Sequence, residues 1–415
     1  MIPFIERLGE TVGKEWQRRG ATQESFSTVA FRALQKSNVH KKFEVEKILK
    51  WLCRTKKFPK QLALNNGFGQ PPMTLYRHKR LDFLIELYFW VMPEISIHSH
   101  GFRGAFTVLR GRSFHCEYAF EVRKNLNQEV LLGNLRLKKA TLLRPGDMTE
   151  VPQGPAFIHE VWHLGFPSIS LLIRTDNWDG PQFTYLKPHL AFRFRHLTPL
   201  EIKQTDALLM LHATRSPLEE PYAEKLLSGA RLHEGLMYFQ KYFEETEDLE
   251  QAGRIFSKIP KYRECAPYLL RFFRKAMEIR IDWRRIEGEE ERLLLALLYT
   301  FQDRESIVGF FESVYPGGKP EKRIFEILRN LTEKQKLSLQ LNETAQEILK
   351  LLIEGKEEEE MNQTFRKTYK GNKGGVFERD IRSFCRQLSS FSLLAPLTKS
   401  PTNKEISSVG TKASS

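Results

Sequence analysis

Apolar positions along the chain follow two rhythms. In the first 75 residues they recur at helical spacing, as in Phe43, Val45, Ile48, Leu49 and Leu52, until the Gly/Pro break Gly67-Phe-Gly69-Gln-Pro-Pro72. From about Tyr76 the period shortens: Ser113 to Val122 and Leu190 to Arg195 are aromatic-rich and roughly alternating, with Gly111 and Gly133 between runs, so residues 76–197 read as an all-β segment. Thr198-Pro-Leu-Glu201 then combines a capping hydroxyl, a proline at the first helical position and a glutamate three residues on, which predicts the start of a helix. Helical patterns continue through Leu352, with breaks expected at Ser216-Pro217, Ile259-Pro260 and Pro316 to Pro320. Beyond Gly355 come the acidic run Glu357 to Glu360, a Lys/Gly patch at Lys370 to Gly375 and a Ser/Thr/Lys end, a composition that predicts a largely disordered tail. The expected organisation is α+β and multi-domain: a helical segment 1–75, a β domain 76–197, an all-α domain 198–355 and a tail 356–415.

Charge changes this picture little. Lys and Arg exceed Asp and Glu by 65 to 51, a net +14, but the basic residues are interspersed with glutamates, so no nucleic-acid track or binding module is expected. Cys53, Cys116, Cys265 and Cys385 lack paired spacing, which argues against a disulfide framework and against a cysteine zinc site. Glu6 and Arg7 interrupt the start before any secretory apolar run, and no stretch is long enough to span a membrane; a cytoplasmic protein is the expectation. Phosphate-binding GxxxxGK[ST], dinucleotide GxGxxG and GxSxG patterns do not occur.

All eleven histidines lie at or before His233, and seven fall between His78 and His189, which places metal-capable chemistry in the β segment. His98-Ser-His100 lies in strand-like sequence, where residues two apart project to one side and two imidazoles can share a metal. Further on, Arg144-Pro-Gly146 leads through Pro152 and Gly154 to His159.

These stretches resemble the paired motifs of the cupin superfamily. Gly146, Pro152 and Gly154 keep the second motif's spacing, although His159 comes two residues late and His163 stands where the pattern has Asn. His98, His100 and Gly111 match the first motif, and Gly104 replaces its metal-binding Glu. The resemblance implies a cupin-type antiparallel β-barrel over residues 76–197 with His98, His100 and His159 as ligands. Three neutral imidazoles suit iron(II) with open positions, another divalent metal being the second choice. Among cupins this arrangement is similar to the cysteine dioxygenase-type thiol dioxygenases, which implies a small thiol carboxylate and dioxygen as substrates. In that family an arginine ahead of the strand leading to HxH holds the carboxylate; Arg77 is the best positional match and Arg80 the second. Of the family's Ser-His-Tyr relay, the matching stretch Ser170 to Arg174 keeps only the serine.

Other readings compete. Ring- or diketone-cleaving three-His cupins would use the same metal set without the arginine. A non-catalytic metal-binding cupin could act as a sensor or scaffold, its helical domain binding a partner protein. His159-Glu-Val-Trp-His163 also spells HExxH, the zinc metalloprotease signature, which requires a helix so that both histidines share a face. The prolines and glycines on either side argue for a strand instead. His115 is expected to be a strand histidine with a hydrogen-bond partner, and Phe83 to Trp90 barrel core.

Overall fold

The computed structural model describes residues 1–61, 69, 71–91, 94–176, 180–278, 281, 283–337, 341–368, 379, 381–386 and 393–398. Half of the Gly/Pro break, and all of the Lys370 to Gly375 patch and of the Ser/Thr/Lys end from residue 399, lie outside them. Helices α1 (Ile2–Arg18), α2 (Gln23–Ser37), α3 (Val39–Lys42) and α4 (Val45–Arg54) open the chain. Strands follow: β1 (Met73–Arg77), β2 (Phe83–Trp90), β3 (Glu94–His100), β4 (Gly104–Arg110), β5 (Ser113–Asn127) and β6 (Val130–Leu143). After them come β7 (Met148–Val151), β8 (Gly154–His163), β9 (Ser168–Thr175), β10 (Phe183–Leu186) and β11 (Leu190–Arg193).

Four nested antiparallel pairs organise these strands: β2 with β9, β3 with β8, β4 with β7 and β5 with β6. Cross-pairing of β4 with β9 and β5 with β8 sorts them into one sheet ordered β1-β2-β9-β4-β7 and a closed barrel ordered β10-β11-β6-β5-β8-β3. A long hairpin folded back on itself in this way is the double-sheet arrangement of the jelly roll, to which cupins belong. The fold is therefore α+β with a cupin-type antiparallel barrel.

Side-chain alternation divides β2 between two environments. Phe83, Ile85, Leu87 and Phe89 join Ile169, Leu171 and Ile173 of β9 in a core covered by Ile5, Leu8, Val12 and Trp16 of α1 and Phe26, Val29, Ala30 and Leu34 of α2. The aromatic stripe thus serves two faces: Phe83 and Phe89 pack under the N-terminal helices, and Glu86, Tyr88 and Trp90 face the opposite way, toward the barrel strands. The first helices close one side of the sheet, so that its other side can be polar.

Thr198 caps α5 (Pro199–Ala213) through the expected box with Glu201. Next are α6 (Glu219–Gly229), α7 (Leu232–Thr246), α8 (Leu249–Lys258), α9 (Ala266–Glu278), α10 (Glu289–Thr300), α11 (Arg304–Val314), α12 (Pro320–Glu333), α13 (Glu343–Ile353) and α14 (Glu358–Thr368). Helices end or start at the three expected breaks: α5 stops at Ala213, α8 at Lys258 and α11 at Val314, and Pro320 opens α12. The chain forms two compact units. One comprises residues 1–163 and 167–274, the other 164–166 and 275–415. The helices directly after the barrel belong to the barrel's unit; Arg195 pairs with Glu201 and Glu234, Glu129 of the β5–β6 turn pairs with Arg231, and His233 Nδ1 lies 2.7 Å from Glu129 Oε2. Within the expected tail, α14 buries Met361 and Phe365, apolar positions one helical turn apart. Among the described residues no helix is long and apolar enough to cross a membrane.

The ring cluster of Trp16, Phe26 and Phe83 has centroids 4.6 to 6.1 Å apart. Phe26→Ala should lower the unfolding free energy in urea titration by about 3–5 kcal/mol, whereas Met210→Ala, at an exposed position, should change it by less than about 0.5 kcal/mol. Equal effects would contradict this packing.

Candidate metal centre

His98 and His100 alternate along β3 and so share a face, and the β3–β8 register sets His159 directly opposite His98. A register shift between Ser99 and His100 accompanies the approach of the second histidine. One ring nitrogen from each of the three lies within 4.8 Å of the others. The ring centroids are 4.6 Å apart for His98 and His100, 4.7 Å for His98 and His159, and 4.9 Å for His100 and His159.

The electrostatics keep the set neutral. Burial pushes the His98 imidazole below its ordinary range; burial, with the crowding of the imidazoles on one another and, for His100, the Arg174 charge, pushes His100 and His159 well below it. A neutral imidazole is the form that binds metal. His98 Nδ1 lies 2.6 Å from the carbonyl oxygen of Ser96, an acceptor only, so its proton sits there and Nε2 is left bare. The Nε2 atoms of His100 and His159 face each other at 2.8 Å. Convergent nitrogens with no carboxylate among them fit a divalent cation of intermediate softness, so the residues present suit the group that the three-His pattern implies.

HExxH has no helix here. The segment is β8, a strand, and Glu160 lies on the face opposite His159, where it accepts from the Tyr118 hydroxyl at 2.6 Å and from Lys187 at 3.4 Å. His163 shares a face with His159, but four strand residues separate them by about 13 Å. It stacks on Trp90 at 4.6 Å with Nδ1 3.1 Å from Ser113 Oγ. Strand geometry thus overturns the zinc protease reading.

Arg77 lies at the sheet edge on β1 in an ion pair with Asp176, and Arg80 in the turn that follows, where its backbone N–H donates to His78 Nδ1. The arginine beside the histidines is Arg174 of β9. It is 1% exposed, its Nε donates to Glu86 Oε2 at 2.7 Å, and its guanidinium lies 5.0 Å from the Phe102 ring, itself 4.4 Å from His100. Its charge contributes to holding His100 neutral. The Tyr88 hydroxyl also donates to Glu86 Oε2, at 2.6 Å. Gly104 makes room for this group: a Cβ there would lie 2.2 Å from the Ile173 carbonyl oxygen and 3.0 Å from the Arg174 Cα and Cβ. The position that carries a metal-binding Glu in the cupin pattern admits no side chain here. Ser170, the remnant of the relay pattern, accepts a hydrogen bond from Trp90 Nε1 at 2.7 Å. His115, whose partner was expected, finds it in His159, with Nε2 3.0 Å from Nδ1.

Arg174, Glu86 and Tyr88 did not emerge from sequence motifs. Their signal was one charge of each sign inside two otherwise uncharged strands, an arrangement tolerated in a buried setting when the charges meet.

No protein-family model matches the chain, and no curated protein matches it. Among solved structures it is similar to DMSP lyases at 16% identity, over 22% of this chain and 38% of that one, with a TM-score of 0.16. A cupin-2 domain protein from Shewanella frigidimarina is 14% identical over 31% of this chain and 91% of its own, with a TM-score of 0.18. Hydroquinone 1,2-dioxygenase PnpCD is 14% identical over 31% and 71%, with a TM-score of 0.19. At these scores the likenesses carry no argument, and the fold rests on the strand pairing.

Burial also sets an acid limit. His163 is held down to about 3 against 6.5 in a free chain. Above pH 6.5 it is neutral in both states and has no effect on stability; between 6.5 and about 3 only the unfolded chain takes up the proton, so stability falls as pH falls. For His163→Phe, the slope of unfolding free energy against pH between 6 and 4 should shrink by about 1.4 kcal/mol per pH unit. An unchanged slope would contradict the buried neutral ring.

Proposed function

We propose that the chain is a non-haem iron(II) dioxygenase that converts a small thiol carboxylate into its sulfinate. The observation that carries the reading is the convergence of three neutral imidazoles beside a buried arginine, at a site whose usual carboxylate position is closed by Gly104 and the backbone of β9. His98, His100 and His159 would hold the metal, which when bound supplies adjacent open positions for a thiolate and dioxygen. In the net reaction both atoms of dioxygen join the thiol sulfur: RSH + O2 gives RSO2H, with sulfur oxidised and oxygen reduced.

The protein's own part is placement. Arg174, held through Nε and Nη2 by Glu86 and through Nη1 by the Thr175 carbonyl, fixes a buried positive charge beside the histidines, to which the carboxylate of a substrate would be drawn. Phe102, Val151 and Phe157, with Phe106 and Leu172, form an apolar wall that keeps water from the polar groups. The Tyr88 hydroxyl, its proton held by burial and by Glu86, donates to that carboxylate and fixes its orientation toward Arg174. Arg77, tied to Asp176 at the sheet edge, is the second candidate for gripping the substrate, and Arg80 the third.

Oxygen uptake by the iron-loaded full chain on a panel of small thiols, with and without a carboxylate, tests the reading. Carboxylate thiols should be consumed with one dioxygen per sulfinate formed. Arg174→Lys should raise KM about tenfold or more with a smaller effect on kcat, whereas Arg77→Lys should leave both within about twofold. The reverse ranking would move the grip to Arg77. Metal binding without oxygen consumption on any thiol would favour a metal-binding barrel that acts as a sensor or scaffold.

A further inference from the structure

The metal site needs His159 to present a bare Nε2, and a neutral imidazole carries one proton that must then sit on Nδ1. That proton requires an acceptor. For His98 the backbone carbonyl of Ser96 plays this part. Among the described residues the partner of His159 Nδ1 is no backbone carbonyl but Nε2 of a fourth histidine, His115, at 3.0 Å. We infer that His115 is a positioning residue: its Nε2 accepts the Nδ1 proton of His159 and so fixes both the tautomer and the ring plane of that ligand.

The placement of His115 is built into the barrel. It lies on β5, the strand beside β8, where Glu117 is opposite His159 and His115 is opposite Val161, so the two histidines meet diagonally on one face. Its ring is 2% exposed and lies 6.1 Å from Phe106 and 5.9 Å from Phe157, an apolar setting in which water does not compete for the contact. A metal held by the Nε2 of His159 selects one sense for this contact: His115 Nε2 accepts, and His115 carries its own proton on Nδ1. This assignment rests on the proposed metal centre and adds to it the group that orients one ligand, a role that elsewhere is worth about 10–100-fold in metal affinity.

Cobalt(II) binding to the full chain, measured by competition with a chelator and by the visible absorption of the bound ion, tests the inference in two variants. His115→Phe keeps a ring and removes the acceptor; it should weaken cobalt binding about 10–100-fold and shift the absorption bands. His115→Gln restores an acceptor oxygen and should recover most of both. Native affinity in His115→Phe, or a Gln variant no better than Phe, overturns the assignment. A native chain that binds no cobalt overturns the metal reading and this assignment together, which separates the two failures. One measurement needs no variant: nitrogen-15 NMR of the zinc-loaded native chain should show His115 protonated at Nδ1. Protonation at Nε2 overturns the inference.

Discussion

Antiparallel pairing of β3 with β8 is the constraint on which the site depends. It puts His98 opposite His159, and alternation along β3 adds His100 to the same face. A slip of one residue would turn His159 away and bring in Glu160, which now bonds to Tyr118 on the other side of the strand. Around His98 this register is flanked by the neighbours β10, which pairs with β3 at His98, and β5, which pairs with β8 at His159, so the ligand geometry is a property of the barrel rather than of a loop.

The polar interior is affordable because the opposite sheet is covered on its outer side by α1 and α2. That apolar packing supports strands whose inner faces carry Glu86, Tyr88, Ser170 and Arg174. The buried Arg174–Glu86 pair is costly to desolvate, and removing one partner of such a pair typically loses about 3–5 kcal/mol. Its retention beside the histidines is understandable where a fixed guanidinium serves the site. Gly104 belongs to the same device, since any side chain there would press on the β9 backbone that carries Arg174.

Much of this was legible in the residues. The HxH alternation, the Pro152 and Gly154 turn before His159 and the capping box at Thr198 are local signals, and each reports a local physical requirement. Contacts between strands far apart in the chain were not. Arg174 and Glu86 are 88 residues apart and meet only because β9 lies beside β2. Arg77 precedes the HxH strand in sequence, yet what it meets is Asp176 at the end of β9. The capping box at Thr198 records where a helix begins, whereas the pairing of Arg195 with Glu201 and Glu234, 39 residues apart in the second case, is a contact that only the fold brings about.

The central claim is that His98, His100 and His159 hold one divalent metal. Anomalous X-ray diffraction at the iron edge, from crystals of the full chain loaded with iron(II) without oxygen, tests it most directly. The account predicts a single peak about 2.1 Å from the Nε2 atoms of His98, His100 and His159. A peak bound by His163, or none among the three histidines in crystals that contain iron, would contradict it.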